Sequence, residues 1–355
     1  MRLNKKLLIS KILKGERITE EDAVNLYNGF NIIELGELAE SKNSEKIYFN
    51  INKHINPTNI CVNRCKFCAF SRDKGEEGSY EYSIEKILRY TKHAEREGIT
   101  EFHIVGGLHP DWSFEYYKVL LKELKKTHPE ITLKAFTAVE IDYFSKISEL
   151  PVEKVLEELK DVGMELMPGG GAEIFAPEIR NKICPEKISG KRWLDIIETA
   201  HKTGIKTNCT MLYGHIESIE HRMAHLSQLR QLQDKTNGFL AFIPLAFHSY
   251  NTEIRKTPYT TGIDDLKTIA VSRLFLDNFK NIKAYWVMLT EKLAQVALNF
   301  GANDLDGTVV KEKITHFANA LSKEGLSVDE IVHLIKKAGK KAVERDSFYN
   351  ELKIF

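Results

Sequence analysis

An excess of charge is the first thing this sequence lacks: 51 Lys and Arg face 50 Asp and Glu, for a formal net charge of +1. So even a balance excludes a generally basic nucleic-acid binder, and no nucleic-acid partner is expected. Long apolar runs are missing as well. No stretch approaches the roughly 18 consecutive apolar residues of a membrane span, and the run Leu7-Leu8-Ile9-Ser10 is cut off by Lys11, which leaves no secretory h-region between Met1 and Gly15. Cysteines are few: five in all, an odd number, with three inside eight positions. That pattern is unlike a secreted disulfide framework and more like a metal site in a reducing compartment. The expectation is a cytoplasmic protein with no membrane attachment.

What is present is material for a large core, 43% hydrophobic residues in 355. The first 47 residues read as a small helical cap, with helices expected from Asn4 to Leu13, after the acidic turn Thr19-Glu20-Glu21-Asp22, and from Ile32 to Ser44. From Tyr48 the pattern changes to short β-type runs alternating with amphipathic helical runs. Strands are expected at 48–55, 101–105, 132–138, 164–167, 206–211, 239–244 and 282–286, with a weak one near Asn303. Eight strands with returning helices predict an α/β fold, a complete or nearly complete (β/α)8 TIM-type barrel over 48–308. The remainder, 309–355, reads as a helical extension packed on the barrel, with helices expected from Val310 to Leu321 and from Val328 to Ala342. No Pro/Gly/Ser-rich spacer, repeat or low-complexity run divides the middle of the chain.

The strongest motif follows the first expected strand: Cys61, Cys65 and Cys68 in C-x3-C-x2-C spacing. Structural zinc wants a closed set of four ligands, and neither Cys184 nor Cys209 stands where it would complete one. A four-iron cluster on three protein thiolates instead leaves one iron open to a small molecule. A zinc knuckle or three unrelated buried thiols are the bland alternatives. Cys184 and Cys209, 25 positions apart, read better as buried free thiols. Glu140 and Glu173 follow expected strands where an acid can meet a ribose diol or an ammonium group, although Glu140 also suits a helix start.

With Phe67 before its last cysteine, the loop resembles the cluster loop of the radical S-adenosylmethionine superfamily. The wider context resembles the futalosine-pathway branch of that superfamily: Asn52 to Asn59 ahead of the loop, Ala69-Phe70-Ser71-Arg72 after it, Gly106-Gly107-Leu108-His109-Pro110, Pro168 to Phe175, Thr210 to His215, and Asp304-Leu305-Asp306-Gly307-Thr308. The resemblance implies a 4Fe-4S cluster held by Cys61, Cys65 and Cys68, with S-adenosyl-L-methionine consumed as a co-substrate. It implies cofactor contacts from Phe67, Gly106, Gly107, Glu140, Glu173 and Arg192, the last 19 positions beyond Glu173. Arginine suits a carboxylate because its planar fork binds it through two bonds.

For activity, the resemblance implies addition of a 5'-deoxyadenosyl radical to 3-[(1-carboxyvinyl)oxy]benzoate, with rearrangement and decarboxylation, giving 6-amino-6-deoxyfutalosine for menaquinone biosynthesis. An electron donor such as flavodoxin or ferredoxin is the implied partner. A substrate with two carboxylates needs hydrogen-bond donors at both ends, and the candidates are His54, Asn56, Arg64, Arg72, His109 and His248. No residue is singled out as an acid or base. The sister reaction that makes cyclic dehypoxanthinyl futalosine is the rival, disfavoured by Asn63 and by the segments 172–175 and 304–308. From another class, the chain would be a non-catalytic metal-binding scaffold.

Overall fold

The computed structural model describes residues 5–254, 260–310 and 312–355. Three helices open the chain: α1 (Lys5–Leu13), α2 (Glu20–Gly29) and α3 (Ile32–Glu40). Asn4, the expected start of the first, lies outside the described residues. Thr19 with Asp22, and Asn31 with Glu34, exchange the paired bonds of a capping box, which satisfy amides the first helical turn leaves without partners.

The barrel follows. Strand β1 (Lys46–Asn50) leads into β2 (Asn52–Ile55), and β3 (Glu101–Ile104), β4 (Thr132–Ala135), β5 (Leu166–Met167), β6 (Lys206–Tyr213), β7 (Phe239–Ala246) and β8 (Asn281–Ile282) add to β2 in chain order. All seven run parallel, as helices returning between consecutive strands require. The weakest expected strand, β9 (Asp304–Gly307), completes the ring. On one side the Asn303 amide donates to the Ile282 carbonyl at 3.0 Å and the Ala284 amide to Asp304 at 2.8 Å. On the other, β9 pairs parallel with β1.

The C-terminal extension is not purely helical, contrary to the sequence reading. Residues 312–327 hold a single 3-10 turn, His316–Ala318, and the helix expected to run to Ala342 stops at Lys337. Gly339 sits at φ 77°, the left-handed geometry that ends helices. Two strands come next: β10 (Lys341–Arg345), parallel to β1, and β11 (Glu351–Ile354), antiparallel to β10. Strand β10 brings Arg345, 1% exposed, beneath the barrel.

Strand alternation separates the outside of the barrel from the inside. Phe102 and Ile104 of β3 join the apolar layer, whereas Glu101 and His103 face inward. The lower interior is charged and balanced: Glu101 pairs with Lys134, Asp306 with Lys283, and Asp304 with Arg345 at 2.8 Å. Buried charges at this density persist only when paired. Among the described residues no helix is long and apolar enough to cross a membrane.

Candidate active site

A cavity of about 330 Å³ lies within the barrel, lined by the cysteine loop, the turns after the strands and the inward strand residues. Barrel enzymes place their chemistry at this C-terminal end, because the loops there vary without disturbing the strands. Cys61, Cys65 and Cys68 all line it, as do Asn63 and Phe67. The loop carrying them is tied down along its length. The Cys61 amide donates to Arg72 at 3.1 Å, Val62 to Leu108 at 3.0 Å, and Lys66 to Ile183 at 2.8 Å. Burial pushes the Cys65 thiol up to about 12, against the pull of the nearby Lys187 ammonium.

Gly106 and Gly107 also line the cavity, and the structure gives the second glycine a physical reason. A Cβ on Gly107 would stand 2.1 Å from the Ile60 carbonyl oxygen, so its hydrogen lets the cysteine loop lie directly on the turn after β3. The Gly107 amide donates to Thr58 at 2.9 Å and the Gly106 amide to a Glu140 carboxylate oxygen at 3.2 Å. Glu140 does two jobs. It closes a capping box with Thr137 on the helix Ala138–Ser148, and it presents a carboxyl group to the cavity. Burial raises that carboxyl to about 7, although the Thr137 and Gly106 donors pull the other way.

Glu173 sits in the left-handed region at φ 47° and lines the cavity, where Lys187 meets it at 2.6 Å. Burial alone would raise this carboxyl, but the ammonium outweighs it and holds Glu173 below the usual carboxylate range. Lys187 itself lines the cavity and hangs 4.9 Å over the Phe67 ring. Sequence reasoning passes over Lys187, because nothing in its neighbourhood distinguishes it from a surface lysine. Arg192, expected here from its spacing, does not line the cavity. It occupies the first turn of the helix Gly190–Lys202, and its Nε donates to Asp142 at 2.7 Å with the side chain 44% exposed. Asp142 engages it there, and Lys187 is the cation that lines the cavity.

The six substrate candidates divide. His54 and His248 line the cavity, with His248 Nε2 donating to the Met288 carbonyl at 2.9 Å. The other four build the walls. Asn56 donates to Val105 at 2.9 Å and ties β2 to the end of β3. Arg64 donates to the Cys61 carbonyl at 2.7 Å and pairs with Asp73. Arg72 donates to Ala69 and Ser71 at 2.9 and 2.8 Å, with the Phe317 ring 5.7 Å away. His109 is 1% exposed, bonded to Glu81 at 2.7 Å and stacked on Trp112. Further inward residues complete the lower wall: His103, Lys134, Asn208 and Tyr285, which no motif marked, and Asp306 of the 304–308 segment, at φ 72°. Their signal was available in the strand alternation, where polar residues stand at inward positions.

The donor set suits an iron–sulfur cluster with one open corner. Three thiols of one loop open on one cavity, while Cys184 and Cys209 are buried and do not line it. No three His, Cys, Asp or Glu side chains among the described residues converge closely enough for a single metal ion. Glu140, Glu173 and Lys187 lie around the same space and offer both signs of charge to an amino acid's ammonium and carboxylate.

Comparison with known proteins agrees. The family model of the Radical SAM superfamily matches residues 55–229, and that of the CofH/MqnC C-terminal region matches 236–354. The chain is 45% identical to the aminodeoxyfutalosine synthase of Thermus thermophilus, over 98% of this chain and 96% of the relative. It is 43% identical to that of Streptomyces coelicolor, over 98% and 94%. It is also 41% identical to a 5-amino-6-(D-ribitylamino)uracil–L-tyrosine 4-hydroxyphenyl transferase of Methanopyrus kandleri, over 88% and 86%. Among solved structures, methylornithine synthase shares the fold with a TM-score of 0.75 at 17% identity, covering 94% of this chain and 96% of that one. Enzymes of this kind use a 4Fe-4S cluster and S-adenosylmethionine. The chain therefore belongs to the Radical SAM superfamily, as an enzyme whose C-terminal part is the region shared by the CofH/MqnC proteins.

Proposed function

We propose that the chain catalyses the aminodeoxyfutalosine synthase reaction of the futalosine route to menaquinone, converting 3-[(1-carboxyvinyl)oxy]benzoate and S-adenosylmethionine to 6-amino-6-deoxyfutalosine, with release of methionine and loss of the enolpyruvyl carboxylate. The observation that carries this reading is 45% identity, spread over 98% of the chain, to a relative of that name. With a reduced cluster and S-adenosylmethionine bound, the site supplies a 5'-deoxyadenosyl radical. Cys61, Cys65 and Cys68 hold the cluster in this reading. Glu173 and Lys187, already paired at 2.6 Å, face the methionine ammonium and carboxylate, with Glu140 beside them and the Phe67 ring against the loop. The barrel wall shields the reacting carbon from water. A small one-electron protein such as flavodoxin or ferredoxin is the electron donor.

A second reading has its own support, because transferases that join a 4-hydroxyphenyl group to a ribitylaminouracil align at 41% identity. Offering the reconstituted, reduced enzyme both substrate sets separates the two. Consumption of the enolpyruvyl benzoate, with a nucleoside product of aminodeoxyfutalosine mass, supports the synthase. Turnover of tyrosine with the ribitylaminouracil alone would replace it.

A further inference from the structure

The lower wall of the cavity holds two histidines side by side. His54 on β2 and His103 on β3 are partners in the parallel register, so the backbone itself sets them face to face. Their rings stack with centroids 4.5 Å apart and planes 6° from parallel, and both line the cavity. Neither ring donates or accepts a hydrogen bond among the described residues, and His54 Nε2 is enclosed without a partner. Leaving buried donors unmatched costs stability, so such a pair is expected to have a partner that comes from outside the protein.

The charges around them are already committed. Lys134 is bound to Glu101, Asp306 to Lys283, Glu173 to Lys187, and Glu312 to His316 at 3.1 Å and to the Thr315 amide. What remains is a group of neutral donors, His54 and His103 with Asn208 and Tyr285 lining the same cavity, while the carboxylates of Asp306 and Glu312 are held by their own partners. Burial holds both imidazoles below their ordinary range, so each offers an N–H without adding a charge. The pair is also deep. His54 lies seven residues before Cys61, within the strand instead of on the loop, so it meets the end of a ligand remote from the cluster.

We propose that the stacked His54–His103 pair is the subsite for the aryl carboxylate of the substrate, holding the benzoate end at the base of the cavity while the enolpyruvyl end points up toward the cysteine loop. The inference rests on the synthase reading and deepens it by assigning one end of the substrate to named donors. A compound lacking the ring carboxylate gives those donors nothing to bond. The subsite is therefore a source of specificity as well as position.

The test is equilibrium binding to the reconstituted, unreduced enzyme, so that no turnover intervenes. The probes are 3-[(1-carboxyvinyl)oxy]benzoate and 2-phenoxyacrylate, which is the same molecule without the ring carboxylate. Wild-type enzyme should prefer the first by about tenfold or more, the weight of one charge-assisted hydrogen bond. In the His54→Phe/His103→Phe variant, which keeps two stacked rings but no donors, the preference should fall below about twofold while S-adenosylmethionine affinity and cluster absorbance stay unchanged. Should that variant fail to take up the cluster, His54→Leu and His103→Leu singly, each of which removes one donor, are measured for a fall in the same preference. An unchanged preference in cluster-loaded variants overturns the inference alone. Failure of the wild-type enzyme to bind either probe overturns the synthase reading and the inference with it.

Discussion

Replacing Gly107 by alanine should damage the site more than its single added methyl group suggests. The new Cβ would stand 2.1 Å from the Ile60 carbonyl oxygen and 2.7 Å from its carbon, with the Asn59 carbonyl carbon at 3.1 Å. All three are backbone atoms, so no rotamer change relieves the contact; the strand end and the cysteine loop must separate. Overpacking of this kind costs about 1–3 kcal/mol, and the rigid contact puts this case near the upper figure. At about 1–1.5 °C per kcal/mol for a chain of 355 residues, the melting temperature should fall by about 3–4 °C. Because Ile60 adjoins Cys61, iron content after anaerobic reconstitution should fall as well. Gly106→Ala is the control. Its Cβ would meet Thr58 O at 3.1 Å and Pro57 Cδ at 3.3 Å, contacts that a shift of a few tenths of an ångström relieves, at a cost below about 1 kcal/mol. Differential scanning calorimetry and iron analysis on both variants decide the matter. A Gly107→Ala protein with wild-type melting temperature and iron would refute the close approach of loop and strand.

Changing Cys61, Cys65 or Cys68 to Ala should abolish the cluster absorbance, whereas Cys184→Ala and Cys209→Ser, both outside the cavity, should retain it; full activity in Cys65→Ala would contradict the assignment. Lys187→Met leaves Glu173 buried without its partner and should destabilise the protein by about 3–5 kcal/mol in urea unfolding, whereas Arg192→Ala, which leaves Asp142 paired with Lys146 at 2.8 Å, should cost less than about 1 kcal/mol and leave S-adenosylmethionine affinity unchanged. The His316 imidazole, hydrogen-bonded to the Glu312 carboxylate, should titrate near 9 by NMR, and Glu312→Gln should return it toward its ordinary value. Since the folded value is raised, that pair's stabilisation is full below about pH 6.5 and is lost as pH rises through 9.

The strands were legible because β/α alternation leaves a strong pattern. Even β9, with only Asp304-Leu305-Asp306-Gly307, was foreseen near Asn303. The cysteine loop was legible because its spacing is chemical rather than conformational. The helix Ala138–Ser148 was foreseen only as the alternative role of Glu140 at a helix start, although Thr137 and Glu140 spell a capping box, because the apolar run before it reads as one longer strand; Phe136 at φ 63° breaks that run. The start of strand β10, Lys341 and Ala342, was read as the end of a helix, and Gly339 was the overlooked stop. Arg192 illustrates a different limit. Spacing along the chain brings a residue to the right turn, but whether its side chain faces the cavity depends on a competing acid, here Asp142, from another helix. The same holds for Arg64 and Arg72, whose guanidinium groups are spent on carbonyls of their own loop.

The measurement that bears most directly on the account follows the adenosyl carbon. Reconstituted, reduced enzyme is incubated with 3-[(1-carboxyvinyl)oxy]benzoate and S-adenosylmethionine carrying isotope in the adenosyl group, and the nucleosides are separated and weighed by mass spectrometry. The account predicts that the label enters 6-amino-6-deoxyfutalosine, with one methionine released for each product formed. Label recovered as free 5'-deoxyadenosine in proportion to product would mean that the enzyme abstracts hydrogen instead of adding its radical to the substrate, and would contradict the proposed reaction.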